Sequence, residues 1–208
     1  VYQIYVEDQN HQCFLHFKEL LKSTLLLTTK KIREYAIKES IKNDSNSDYT
    51  YLEFGVFSGT TITFFSKYLT KNKIYGFDSF EGLKEHWLGT TVTKGTFDLK
   101  KKIPTLPKNV VPVAGWIQDT LPPFLNEKKP KINFVHIDVD TYETTKFILD
   151  LIKPQLVKGA IILFDELYNF EGWDVGEYKA LTEVFAKNEY KFEAFAHDGR
   201  QALIKILN

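Results

Sequence analysis

The chain has 208 residues, 43% of them hydrophobic and 15% aromatic, which suits one domain with a proper core and is too short for two of ordinary size. Lys plus Arg and Asp plus Glu each number 27, so the formal net charge is +0 and no global field draws the chain to nucleic acid. Cys13 is the only cysteine, which excludes an intrachain disulfide or a multi-cysteine metal cluster and fits a reducing, cytoplasmic setting.

Residues 14–26 and 30–42 are amphipathic and predict two helices, a helical prelude over residues 1–48 to a core over residues 49–208. Lys18, Glu19 and Lys22 interrupt the leucine-rich stretch, so it reads neither as a membrane span nor as a signal peptide. The sequence begins at Val1 and has no methionine, which leaves room for a trimmed targeting segment. After the polar loop at 43–48, strands are expected at 49–54, 74–77, 110–114, 132–137 and 160–164, with helices at 60–69, 142–152 and 174–187. Residues 78–108 read as irregular, and the lysine runs at 30–31 and 100–102 read as solvated faces. This alternation predicts a doubly wound, Rossmann-like α/β sheet, mostly parallel. At its end, segments 190–196 and 201–207 flank His197-Asp198-Gly199-Arg200, an Asp-Gly signal for an antiparallel hairpin.

The first strand runs into Gly55-Val56-Phe57-Ser58-Gly59-Thr60, a glycine-bounded turn that opens a helix. Its G-x-x-x-G spacing puts Val56 and Phe57 where a dinucleotide turn needs a glycine to bring backbone against pyrophosphate. A nucleoside without phosphates suits such a loop, S-adenosylmethionine being the commonest. Asp78, directly after the next strand, is placed to accept from both ribose hydroxyls, although it reads equally as the cap of a short turn. The expected donor-binding set is Glu53, Gly55, Ser58, Gly59, Thr60, Asp78, Ser79, Gly115, Trp116 and Asp138. Glu53 and Gly55 are assigned to the amino-acid end, and Gly115 and Trp116 to the adenine. Trp116 reads equally as a core aromatic.

A second cluster is acidic. Asp138 and Asp140 follow one strand and Asp165 and Glu166 follow the next, so carboxylates from neighbouring strand ends can converge on one hard cation, with magnesium the natural candidate. His136 reads as a packed histidine or one standing behind the ligands. His86, Trp87 and Phe97 on one side, and residues 168–173 with Trp173 on the other, are expected to line an acceptor pocket.

Taken together, residues 52–59, 76–83, 115–122, 136–142 and 164–166 carry five ordered motifs that resemble the macrocin O-methyltransferase family, whose members methylate sugar hydroxyls of antibiotics. The resemblance covers roughly residues 50–206 and implies a class I methyltransferase fold, S-adenosylmethionine as donor and a magnesium-dependent mechanism. It places a catalytic, metal-binding aspartate at Asp138 and an acidic metal pair at Asp165 and Glu166. Glu166 departs from the family's second aspartate, and the stretch 84–108 is shorter than the family's corresponding region.

The resulting expectation is O-methylation of a sugar, glycoside or other small hydroxyl compound, with Asp138 as base and Asp138, Asp165 and Glu166 as metal ligands. Neither nucleic acid nor membrane is expected as a partner, and a homo-oligomer is compatible with the sequence. Asp138-Val139-Asp140 also fits the D-x-D metal motif of nucleotide-sugar glycosyltransferases, though these lack the glycine turn. A non-catalytic S-adenosylmethionine-binding module is a further alternative, while an NAD-dependent dehydrogenase disagrees with both the glycine pattern and the terminal hairpin.

Overall fold

A computed structural model describes residues 1–208. In chain order the elements are α1 (Tyr2–Ser23), β1 (Leu25–Leu27), α2 (Thr29–Asn43), β2 (Thr50–Phe54), α3 (Thr60–Ser66), β3 (Ile74–Asp78) and β4 (Val110–Ala114). There follow α4 (Ile117–Lys128), β5 (Ile132–Ile137), α5 (Tyr142–Ile152), β6 (Leu156–Phe164), α6 (Glu177–Val184), β7 (Tyr190–Ala196) and β8 (Ala202–Ile206). The eight strands form one sheet ordered β1-β7-β8-β6-β5-β2-β3-β4. All neighbours are parallel except β6–β8 and β7–β8, so the expected mixed sheet with an antiparallel C-terminal hairpin is present.

Buried apolar residues alternate between the sheet faces. Leu52, Phe54, Val135, Ile137 and Phe164 pack with α1, α4, α5 and α6. Tyr51, Phe134, Ile161 and Leu163 pack on the other face against α2 and α3. Near-continuous apolar strands such as Ile132–Ile137, buried at every position, follow from helices covering both faces of a parallel sheet.

The N-terminal segment and α4 depart most from expectation, and α1 begins at Tyr2, well before residue 14. Residues 24–26 do not extend a helix: Leu25–Leu27 form an edge strand parallel to Ala194–Ala196, so the N-terminal segment is helix, strand, helix and is hydrogen-bonded into the sheet. Helix periodicity and a short apolar run cannot be told apart over three residues; β7's open edge decides between them. The hairpin turn reinforces the join, since Asp198 accepts from the Thr29 backbone N–H at 2.6 Å at the start of α2. Helix α4, which the sequence pattern did not announce, contains Pro122 and Pro123, residues that disfavour a helix interior. No helix is long and apolar enough to cross a membrane.

Candidate functional site

β2 and β5 are adjacent where the strand order reverses, and the ladder continues one residue past the strand ends. Gly55 N–H donates to the Phe77 carbonyl, Asp138 N–H to Phe54, Asp165 N–H to Ile137 and Gly115 N–H to Asp78, each at 2.9 Å. The carboxyl ends of five strands thus bring the glycine turn, the acids and the residues after β4 to one rim, where open α/β sheets bind ligands. A cavity of about 320 Å³ lies there.

Gly55 has φ +87°, and a Cβ on it would fall 1.7 Å from the Asp138 carbonyl oxygen, so only glycine fits. Gly59, at φ +80°, begins α3 under the Leu106 side chain. Asp78 holds the turn between them: Oδ2 accepts from Val56 N–H at 2.8 Å and Phe57 N–H at 2.7 Å, while Oδ1 accepts from Phe80 N–H at 2.7 Å. Asp78 is therefore a turn clamp, as the cap reading expects, and it also lines the cavity.

Of the expected donor-binding residues, Gly55, Asp78, Ser79, Trp116 and Asp138 line the cavity. Ser58, Gly59 and Thr60 do not; the turn closed by the Gly59 N–H to Val56 carbonyl bond carries them toward α3, where Ser58 and Thr60 hydroxyls pair at 3.0 Å. Gly115 stands at φ +135° behind the lining. Glu53 is fully buried away from the cavity. Strand alternation puts it on the α2 and α3 face, where Oε2 lies 3.4 Å from His136 Nδ1.

The same alternation separates the acids. Asp165 follows β6 on the face of His136, its Oδ1 3.2 Å from His136 Nε2, 3.0 Å from Arg33 Nη2 and also bonded to Gln201. Glu166, one residue later, lines the cavity with Asp138 and Asp140. Two groups result, each with ligand atoms within 4.8 Å of one another: His136 with Asp138 and Asp165, and Asp138 with Asp140 and Glu166. The expected trio is divided between them, and Asp138 is common to both. Asp140, at φ +64° and 8% exposed, takes the third place on the cavity side.

Electrostatics differ between the groups. Burial would push Asp165 up, but His136, Arg33 and Gln201 outweigh it and hold the carboxyl below the usual range. His136, despite the opposing effect of burial, is raised to about 10 by its contacts with Asp165 and Glu53, while burial raises Glu53 itself. Burial and the neighbouring charge of Asp165 raise Asp138 and Glu166 well above ordinary carboxylates and Asp140 to about 7. Glu177, at the start of α6, adds a further buried carboxyl, raised chiefly by burial, whose Oε2 accepts from Glu166 N–H at 2.9 Å. Nothing in its sequence context marked Glu177, whereas Asp140 stood in the D-x-D pattern.

Among the aromatics, Trp87 and Phe97 line the cavity, and Phe97 stacks edge-on to Phe57 at 5.3 Å. Lys84 lies 5.5 Å from the Trp116 ring, which faces the cavity. The second aromatic segment corrects the expectation. Trp173 is core, packed on Phe17, His16 and Tyr178 at centroid distances of 5.5, 5.1 and 5.7 Å, and Tyr168 packs on Phe195 at 4.9 Å. α1 covers this side of the sheet and turns loop aromatics into core. His86 is occupied by the Lys94 backbone N–H. Arg200, from the hairpin turn, is a cavity residue that its sequence position did not announce.

Residues 52–167 match a family model described as a methyltransferase domain. No curated protein matches the chain. Among solved structures, the calicheamicin methyltransferase CalS11 is similar at 22% identity and TM-score 0.68, with 94% of this chain and 91% of that one covered. The O-methyltransferase NovP is similar at 18% identity and TM-score 0.63, covering 86% and 79%. An O-methyltransferase from Bacillus cereus in complex with SAH is similar at 11% identity and TM-score 0.57, covering 97% and 91%. At these identities the likeness is one of fold, whereas the family model spans more than half of the sequence, and the chain belongs to the methyltransferase-domain family.

Proposed function

We propose that the protein transfers a methyl group from S-adenosylmethionine to a hydroxyl of a sugar, glycoside or other small molecule, assisted by a divalent cation. One observation carries the reading: a single cavity joins the glycine turn and Asp78 to the carboxylates of Asp138, Asp140 and Glu166. In it the donor's amino-acid end lies beside Gly55 and Asp138, its ribose at Asp78 and Ser79, and its adenine against Trp116. Family membership favours this over a nucleotide-sugar glycosyltransferase.

The sulfonium makes the methyl electrophilic, so the protein's tasks are to align an acceptor oxygen and remove its proton. Asp138, directly after β5 on the cavity lining, takes that proton. The converging, mutually repelling carboxylates suit a hard cation, held by Asp138, Asp140 and Glu166, with Asp165 fixed behind them by Arg33 and His136. When bound, such a cation lowers the pKa of the acceptor hydroxyl. Trp87 and Phe97 provide apolar walls beside the acceptor.

The test is to screen sugars, glycosides and small phenols with magnesium for release of S-adenosylhomocysteine. Acceptor-dependent release supports the proposal. Donor binding with no turnover on any acceptor leaves a binding module, and loss of both overturns the reading.

A further inference from the structure

The guanidinium of Arg200 is the cavity's unspent charge. Arg200 stands in the turn between β7 and β8, and its carbonyl is fixed by the N–H groups of Leu167 at 3.1 Å and Tyr168 at 3.3 Å. Its side chain reaches the cavity wall across two aromatic rings, 5.0 Å from the centroid of Phe170 and 6.0 Å from that of Trp87. Such faces desolvate one side of a guanidinium and hold its plane without using its N–H donors. The ion pairs of the molecule engage Arg33 and several lysines, yet no carboxylate pairs with Arg200. Asp140 feels its charge only at longer range. Lys84, on the Trp116 ring at the same cavity, is likewise exposed and unpaired.

A planar fork of donors held at a cavity wall with no internal partner is matched to an oxyanion. We propose that the acceptor hydroxyl compound carries an anionic group, a carboxylate or a phosphoryl group, which Arg200 binds bidentately. This specificity rests on the methyl-transfer reading, because the donor's own carboxylate is assigned to the other end, beside Gly55 and Asp138. Arg200 selects the acceptor by charge, and the acidic group then receives the hydroxyl.

The test titrates benzoate, phenyl phosphate and uncharged benzamide into protein loaded with S-adenosylhomocysteine, reading tryptophan fluorescence. At least one anion is expected to bind saturably, about tenfold or more tighter than benzamide, the scale of one charge-assisted hydrogen bond. The tighter of the two anions distinguishes carboxylate from phosphoryl acceptors. Arg200→Gln should abolish the preference while donor affinity stays within about threefold, a difference below one such bond. Arg200→Lys, which keeps the charge without the fork, should retain part of it, and circular dichroism checks that both variants fold. Equal binding of benzamide, no saturable binding of either anion, or an unaltered preference in Arg200→Gln overturns the proposal. So does a tenfold loss of donor affinity in that variant, which would assign Arg200 to the donor's carboxylate. If wild-type protein fails to bind S-adenosylhomocysteine at all, the methyl-transfer reading falls, and the same titrations on unloaded protein still decide the anion site.

Discussion

Gly55 and Asp138 meet backbone to backbone at the point where the strand order reverses, so closely that a Cβ on Gly55 would sit 1.7 Å from the Asp138 carbonyl oxygen. The glycine turn and the acidic rim are therefore one construction. Widening it at either residue moves both the proposed donor site and the proposed base.

Gly55→Ala is expected to destabilise the fold by about 3 kcal/mol or more, since it adds a positive φ penalty to a backbone clash. Chemical denaturation measures this, and calorimetry should show donor binding lost in the surviving folded fraction. Wild-type stability in the variant would contradict the close approach.

Asp78→Ala removes the acceptor of three backbone N–H groups as well as the proposed ribose contact. Stability should fall by about 1–3 kcal/mol, and donor affinity by about tenfold or more. A loss of affinity with no change in melting would separate the ribose role from the clamp.

Trp173→Ala should cost about 3–5 kcal/mol of stability, the range for a large core aromatic, because the ring packs on Phe17 and Tyr178. Trp87→Ala, at the cavity wall, should raise the acceptor KM more than it changes donor affinity. Thermal melts and separate donor and acceptor titrations distinguish the two tryptophans.

Asp138→Asn should lower turnover by about 100-fold or more while donor affinity changes by only several-fold, the usual scale for losing a general base. Asp165→Asn acts through position and charge, so it should lower turnover less and shift the pH–rate profile. Single-turnover assays across pH compare them. Undiminished turnover in Asp138→Asn would leave the proposed base without a role.

Stability should fall as pH rises. Asp138, Glu166 and Glu177 have raised pKa values in the folded state, and Asp140 is raised to about 7, so the folded chain binds more protons than the unfolded one above the ordinary carboxylate range. The stability of these neutral forms is lost as pH climbs through the folded values. His136, raised to about 10, adds a contribution of the same sign, present below its unfolded value and lost toward pH 10. The lowered Asp165 acts oppositely, but only at acid pH. Melting in the absence of metal should therefore be higher at pH near 5 than near 8, and magnesium should raise it more at the higher pH. An equal effect of magnesium at both would count against the cation.

Near-continuous apolar strands alternating with amphipathic helices made the sheet legible from sequence, and Asp-Gly marked its terminal hairpin, because such signals depend on neighbours a few residues apart. The glycine turn, Asp78 and Asp138 were legible for the same reason: each follows directly on a recognisable strand. What tertiary structure alone decided is which partners face them. Leu25–Leu27 became a strand because β7 offered an open edge, and Trp173 became core because α1 lies across it. Asp165 and Glu166 read as a pair in sequence, yet strand alternation sends one to Arg33 and His136 and the other to the cavity. Arg200 reaches that cavity only because the hairpin returns beside β6 and lays its turn on Phe170 and Trp87. Local pattern chooses the element and the face; contact between residues distant in the chain depends on how the packed layers meet.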